Sequence, residues 1–423
     1  MKKILVITYY WPPAGGPGVQ RWLKFVTYLR DFGIDPTVYI PENPHYPIQD
    51  TSLLKELPEG ITILKHPIRE PYGIAGLLFS RKTKRISSGI IQTKKQSLLE
   101  KALLWVRGNL FIPDARKNWV KPSIAYLSEV IERENIATII TTGPPHSVHL
   151  IGHGLKEKLQ LNWLADFRDP WTSIGYHKKL KLTKKSEQKH KDLEKMVLNG
   201  ADKLIVTSRT TKIEFQHLSD TPISVITNGY ESDYQGGADL DESFTIAHIG
   251  SLLSGRNPKN LWKTLSDIAR ENAVFRTDLR LEFIGVVSED VLDTIYRYEL
   301  APYLKLKGYV SHAEALRRQQ RAQVLLLVEI DSEETKGIIP GKLYEYMAAK
   351  RPILAVGPEG WDASEIVEDT LTGAAFDYNS RAELKAMILA YYTAYKKGQL
   401  YVTSKDTEQY SRKALTKKLA ELV

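Results

Sequence analysis

The chain has 423 residues, 42% hydrophobic and 26% charged, enough for two packed domains and unlike a fibrous or low-complexity protein. It contains no cysteine, which excludes disulfides, thiolate catalysis and zinc–cysteine sites and fits a reducing compartment. The formal net charge of +9 favours anionic partners, and no run approaches the ~20 apolar residues that a membrane-spanning helix needs.

The first segment, MKKILVITYYWPP, has an apolar run too short for a signal peptide and no small-residue cleavage site, so it reads as a buried strand over Ile4–Tyr9. Further strands are expected at Pro36–Ile40, Ile61–His66, Thr138–Thr142, Trp163–Phe167, Lys203–Thr207 and Ser224–Thr227. Helical patterns fall between most of them, at Val19–Phe32, Trp119–Glu134, Val148–Leu159 and Glu187–Leu198. Continuous apolar strands alternating with helices predict a parallel sheet covered on both faces. Gly229–Ser243 is polar, acidic and turn-rich, and reads as a linker.

The alternation then restarts, with strands expected at Thr245–Ile249, Leu281–Ile284, Leu304–Tyr309, Val324–Val328, Ile353–Val356 and Ala374–Phe376. Helices are expected at Asn260–Arg270, Ala313–Ala322 and Glu383–Tyr395, and a last helical pattern covers Glu408–Val423. The fold class is therefore α/β, two doubly wound domains in series. Their expected limits are 1–229, a linker at 230–243, 244–404, and a C-terminal helix at 405–423 that packs back on the first domain.

Five stretches carry candidate chemistry. In YYWPPAGGPGVQRW, Gly15, Gly16 and Gly18 lead from a strand into a helix, which lets backbone amides approach a diphosphate; the spacing is not a dinucleotide fingerprint. In TTGPPHSVH, His146 follows a strand's carboxyl end, either as a hydrogen-bonding site group or as a structural histidine. In ADFRDPW, Asp166, Arg168 and Asp169 end another strand, where they either orient an acceptor or pair as a structural lock. In HIGSLLSGRNPKN, Arg256 and Lys259 can meet a diphosphate, although Lys259 also fits a solvated first turn.

The fifth stretch is KGIIPGKLYEYMAAKRPIL. Lys342 and Glu345 lie one turn apart, so the carboxylate can take the two hydroxyls of a ribose while the lysine holds the attached phosphate. The plain alternative is a surface salt bridge. Asp239-Leu240-Asp241 has the D-x-D spacing of a metal site but lies in the polar linker, and no other cluster suggests a metal.

Basic residues crowd Arg81–Lys121, with apolar residues interleaved, and again Lys178–Lys195. The choice is between a solvated face and a surface for anionic lipid or a phosphate-bearing acceptor. No nucleic-acid-binding motif is present.

Taken together, WPPAGGPG, TTGPPHSVH, ADFRDPW, TNGYE, GSLLSGRNPKN and PGKLYEYMAAKRPIL make the chain resemble the GT-B glycosyltransferases. The resemblance is to the retaining family 4, in the branch that builds bacterial surface polysaccharides. It implies two Rossmann-like domains facing each other across a cleft, the first binding an acceptor and the second a nucleotide-diphosphate sugar. Glu345 matches the second glutamate of the family's E-x7-E signature, which holds the ribose, and Arg256 matches the arginine at the diphosphate. Lys259 or Lys342 is the partner lysine. Gly16 matches the glycine that approaches the donor phosphates, with Gly15 beside it, and His146 matches a histidine near the sugar.

By this reading Arg256, Lys342 and His146 are catalytic. Gly15, Gly16, Arg256, Lys259, Gly337, Ile338, Lys342 and Glu345 bind the donor, and His146, Asp166 and Arg168 bind the acceptor. One departure stands out: Gly337 occupies the place of the signature's first glutamate, with Glu333 and Glu334 nearby.

The expected activity is transfer of a sugar from a nucleotide-diphosphate sugar to a glycan or polyprenyl-linked acceptor, with retention and with neither cofactor nor metal. The expected place is cytoplasmic, peripheral on the inner face of the membrane through Arg81–Lys121, with no nucleic-acid partner. An epimerase of the same architecture and a non-catalytic nucleotide-sugar-binding subunit are the alternatives.

Overall fold

Parallel strands buried on both faces must be apolar along their whole length, and KILVI at Lys3–Ile7 and VLLLV at Val324–Val328 meet that condition. A computed structural model describes residues 1–70, 98–175, 177–231 and 238–423. They form two units, Met1–Asn228 with Arg412–Val423, and Gly229–Ser411.

In the first unit the order is β1 (Lys2–Thr8), α1 (Pro17–Leu29), β2 (Ile34–Pro41), β3 (Thr62–His66), α2 (Leu98–Leu110), α3 (Lys117–Glu134) and β4 (Thr138–Gly143). There follow α4 (Ser147–Lys158), β5 (Asn162–Phe167), α5 (Lys184–Gly200), β6 (Lys203–Val206), α6 (Arg209–Gln216) and β7 (Ile223–Val225). The strands pair in parallel in the order β3-β2-β1-β4-β5-β6-β7. Ile4, Leu5, Val6 and Ile7 are all fully buried, since helices cover both sheet faces. Helix α1 turns Trp22, Leu23, Val26 and Leu29 inward at helical spacing, and Pro17 fits its first turn because the missing amide hydrogen is not needed there.

The second unit repeats the plan. It runs β8 (Phe244–Ile249), α7 (Lys259–Glu271), α8 (Ala273–Asp278), β9 (Leu279–Ile284), α9 (Glu289–Arg297), β10 (Leu304–Lys307) and α10 (His312–Arg321). Next come β11 (Val324–Val328), α11 (Lys342–Ala348), β12 (Ile353–Gly357), α12 (Asp362–Asp369), β13 (Gly373–Asp377) and α13 (Arg381–Lys396). Its six parallel strands are ordered β10-β9-β8-β11-β12-β13. In both sheets the order reverses beside the first strand, and doubly wound folds bind ligands at the carboxyl edge of that reversal.

Three boundaries differ from the sequence expectation. The strand expected to reach Tyr309 ends at Lys307, and Tyr309 is 97% exposed; this edge strand's exposed positions blur its apolar signal. The linker expected at 230–243 is in part stitched to the second unit. Arg321 holds Asp241 at 3.2 Å, Gln323 donates to the Asp241 carbonyl at 2.7 Å, and Tyr230 pairs with Tyr410. Residues 232–237 lie outside the described residues. The tail expected as one helix over Glu408–Val423 breaks at extended Ser411 between a short turn, Thr407–Tyr410, and the final helix α14 (Arg412–Ala420). Helix α14 packs against α1 in the first unit, burying Leu415 and Leu419. The unit boundary therefore falls at Arg412 rather than at 405.

Candidate functional site

The reversal in the second sheet lies between β8 and β11. Strand β8 delivers His248, then Gly250 and the loop that carries Arg256; β11 delivers Glu329 directly after its last residue; α11 begins with Lys342 and carries Glu345. Arg256 Nε and Nη2 each donate to the Glu329 carboxylate at 3.0 Å, a bidentate fork. The Glu329 side chain is 1% exposed and that of Arg256 28%, so the pair is fixed on its inner side while the outer edge of the guanidinium reaches the surface. Tyr378 donates to the Glu329 carbonyl at 2.8 Å.

Lys342 Nζ lies 3.1 Å from His248 Nε2. Burial, then the neighbouring Arg256, lowers its pKa to about 8, against the opposing pull of Glu329 and Glu345. Glu345 accepts from Gln319 Nε2 at 2.8 Å. Gly250 has φ +110°, which favours glycine, and a Cβ there would come within 2.9 Å of Lys342 Nζ and displace the end of that side chain. A cavity of about 330 Å³ lies at the carboxyl ends of β11, β12 and β13, lined by Ser332, Glu333, Lys336, Glu359, Tyr378 and Asn379 among others. Gly337 and Ile338 belong to the loop before α11, where the Ile338 carbonyl accepts from Trp361 Nε1 at 2.6 Å.

The structure thus brings Arg256, Lys342 and Glu345 to one edge. Lys259, at the first turn of α7, is exposed, and Lys342 is the lysine that feels the charge of Arg256. Glu329, His248 and Gln319 escaped the sequence reading. A signal existed for the first two: Glu329 directly follows an apolar strand, as Asp166 ends one, and His248 is a polar residue inside another.

In the first unit Gly16, at φ +114°, opens α1, and the Gly15 amide donates to the Ile48 carbonyl at 3.1 Å. The Arg168 guanidinium lies so close over Gly18 that a Cβ there would sit 1.6 Å from Nη1. Arg168 also donates to the carbonyls of Gly143, at 3.1 Å, and Pro144. Burial lowers its pKa, with Asp169 and Asp166 opposing. Asp166 is fully buried and accepts from Trp22 Nε1 at 2.8 Å, Thr142 Oγ1 at 2.8 Å and Arg21 Nη2 at 3.2 Å. Its surroundings favour the structural-lock alternative, since the carboxylate is spent on clamping α1 to β4 and β5.

His146 is 4% exposed, stacks on Trp171 at 4.7 Å, and neither ring nitrogen has a hydrogen-bond partner among the described residues. Burial, then His149 and Arg168, hold its pKa well below the ordinary histidine value, so it is a neutral ring. Among the described residues no His/Cys/Asp/Glu group is arranged to hold a metal, and Asp241 of the D-x-D stretch is committed to Arg321.

The fold is that of the GT-B glycosyltransferases: two parallel-sheet α/β units with helices. No family model and no curated protein sequence matches the chain. Solved structures do. A glycosyltransferase from Rickettsia africae is similar with TM-score 0.59 and 14% identity, over 100% of this chain and 97% of the other. The lipopolysaccharide outer core galactosyltransferase WaaB gives 0.57 and 14%, over 100% and 99%. Staphylococcus aureus TarM, solved with fondaparinux, α-GlcNAc-glycerol and UDP, gives 0.58 and 12%, over 100% and 99%.

Proposed function

We propose that the chain is a glycosyltransferase of the retaining family 4 type, moving a sugar from a nucleotide-diphosphate sugar to a glycan or lipid-linked acceptor in bacterial surface polysaccharide synthesis. The observation that carries this reading is the grouping of Arg256, Lys342 and Glu345 at the order reversal of the second sheet. The neighbours that act on lipopolysaccharide and that bind UDP support it by fold.

Cleaving the sugar–phosphate bond builds positive charge on the ring and negative charge on the leaving diphosphate. Fixed cations are the direct means of stabilising that leaving group. Glu329 occupies two donors of the partly exposed Arg256 and leaves its remaining guanidinium hydrogens for phosphate oxygens. Lys342 adds a second cation, and its low pKa rises again when a diphosphate supplies the missing counter-charge. Glu345 offers one carboxylate oxygen to a ribose diol while Gln319 holds the other. In this mechanism no step requires a metal.

A thermal-shift screen against UDP, GDP, ADP and CMP and their sugars tests the reading. One of these bases is expected to raise the melting temperature; no shift with any of them counts against a donor site. Gly337 favours a second reading, a subunit that binds a nucleotide sugar without transferring it. Product formation with a glycan acceptor separates the two.

A separate part of the proposal, motivated by the basic Arg81–Lys121 run, is association with an anionic membrane surface. Asn109 of α2 accepts from the Thr183 amide at 2.8 Å and donates to the Lys181 carbonyl at 3.3 Å, joining parts of the two basic runs. Trp105 and Leu110 of α2 are 44% and 54% exposed there. Exposed apolar residues beside lysines fit a lipid interface better than a purely solvated face. Residues 81–97 of the first run lie outside the described residues.

A further inference from the structure

Lys342 is held by a histidine that no motif marks. His248 is the penultimate residue of β8 and is fully buried. Its Nδ1 lies 2.9 Å from the carbonyl oxygen of Leu326, on the adjacent strand β11. A carbonyl only accepts, so a proton on Nδ1 serves Leu326 and leaves Nε2 of the neutral ring a lone pair; the Ser251 backbone is a second hydrogen-bonding neighbour of the ring. Lys342 Nζ, 3.1 Å away, is then the donor, and the chain of bonds has one direction: Lys342 to His248, His248 to Leu326. Among the described residues His248 is the one hydrogen-bond partner of the Lys342 side chain, which leaves the other Nζ hydrogens open.

The charged groups that bear on Lys342 are Arg256 from the β8–α7 loop, Glu329 after β11 and Glu345 on its own helix. None of the carboxylates comes within salt-bridge distance of Nζ, so charge pairing does not fix where the ammonium points. The end of the lysine side chain passes over Gly250, where a Cβ would lie 2.9 Å from Nζ and 3.3 Å from Cε and displace it. Burial, then Lys342 and more weakly Arg256, holds the His248 pKa well below the ordinary histidine value, against the opposing backbone hydrogen bonds of Leu326 and Ser251.

We propose that His248 is a positioning residue: by accepting from Nζ through a ring whose tautomer Leu326 fixes, it holds the Lys342 ammonium over Gly250 in the place where the donor's diphosphate binds. This rests on the reading of Lys342 as a phosphate ligand. The same hydrogen bond keeps a long, flexible, cationic side chain in a half-buried position that its hydration alone opposes.

The test uses two variants and two readouts. His248→Phe keeps a flat ring and removes the acceptor; His248→Gln offers an amide oxygen near the place of Nε2. Competitive acetylation of Lys342 across about pH 6 to about pH 10, read by mass spectrometry without nucleotide, gives its titration midpoint. The wild type is expected to titrate near 8. In His248→Phe the midpoint leaves the wild-type value, upward where the freed stem reaches water and downward where the ammonium stays buried without its acceptor, while His248→Gln stays near the wild type. An unchanged midpoint in His248→Phe overturns the proposal, and so does a fall in melting temperature alone, which packing would explain.

The second readout is calorimetric affinity for UDP, GDP, ADP and CDP and for the matching nucleosides. His248→Phe is expected to lose about tenfold or more in affinity for the nucleoside diphosphate and nothing for the nucleoside. Equal affinity in wild type and variant overturns it. If the wild type binds none of the four, the proposed function falls, while the labelling midpoint still decides whether His248 positions Lys342. Should His248→Phe not fold, His248→Asn takes its place, since its short amide can serve Leu326 but cannot reach Nζ.

Discussion

Single side chains in this molecule are held by partners far away in the sequence. Glu329 and Arg256 are 73 residues apart, and His248 and Lys342 are 94 apart. In the first unit a cluster of buried imidazoles gathers around Trp171. His146 stacks on it, His149 lies against Phe167, and His190 meets both Trp171 and His177. Burial lowers the pKa of His149 to about 3 and that of His177 to about 4. A folded-state value below the unfolded value of about 6.5 means that the unfolded chain binds more protons. Stability is therefore full above pH ~6.5 and is lost as the pH falls from there toward 4. Asp169, Glu194 and Glu214, whose carboxyls burial pushes up, act in the opposite sense, so the informative quantity is a difference. In urea melts at pH 7 and pH 5, His177→Gln is expected to lose less stability on acidification than the wild type. The reduction in slope is at most about 1.4 kcal/mol per pH unit, the linkage value for one proton. Equal slopes would remove His177 from this account.

The elements show why much of the fold was legible. A parallel strand buried on both faces has no polar alternation to interrupt it, so β8 and β11 stand out as FTIAHI and VLLLV. Edge strand β10 reads LKLK, half exposed, so the sequence does not mark where it ends. The final helix was legible as a helix, but its seat against α1 was not, because nothing local encodes which surface covers Leu415 and Leu419. That seat is also tied by Lys413 to Asp31 at 2.7 Å and by Arg412 to Gln20 at 2.9 Å. Leu419→Ala, at a fully buried position in the first unit's core, is expected to cost about 2–5 kcal/mol in urea unfolding of that unit. A cost under about 0.5 kcal/mol, the range of surface substitutions, would mean that α14 contributes little. The site divides in the same way. Arg256, Lys342 and Glu345 lie in local motifs, whereas the residues that hold them, Glu329, His248 and Gln319, are joined to them only by the folded chain.

At the scale of the whole molecule the sequence and the fold meet in two proposals. The first is the membrane surface. No helix among the described residues is long and apolar enough to cross a bilayer. Trp105→Ala with Leu110→Ala is expected to lower co-sedimentation with anionic vesicles several-fold, with no binding to neutral vesicles by either protein. Equal recovery of wild type and variant would remove this surface. The second is the reaction, which rests on Arg256 meeting the donor's diphosphate with Glu329 behind it. The most direct measurement is sugar transfer from the nucleotide sugar that the thermal-shift screen selects, comparing wild type with Arg256→Ala at matched folding. The account predicts a loss of about 10²- to 10³-fold in turnover, as when one fixed transition-state donor is removed. Near-normal transfer by Arg256→Ala would contradict it.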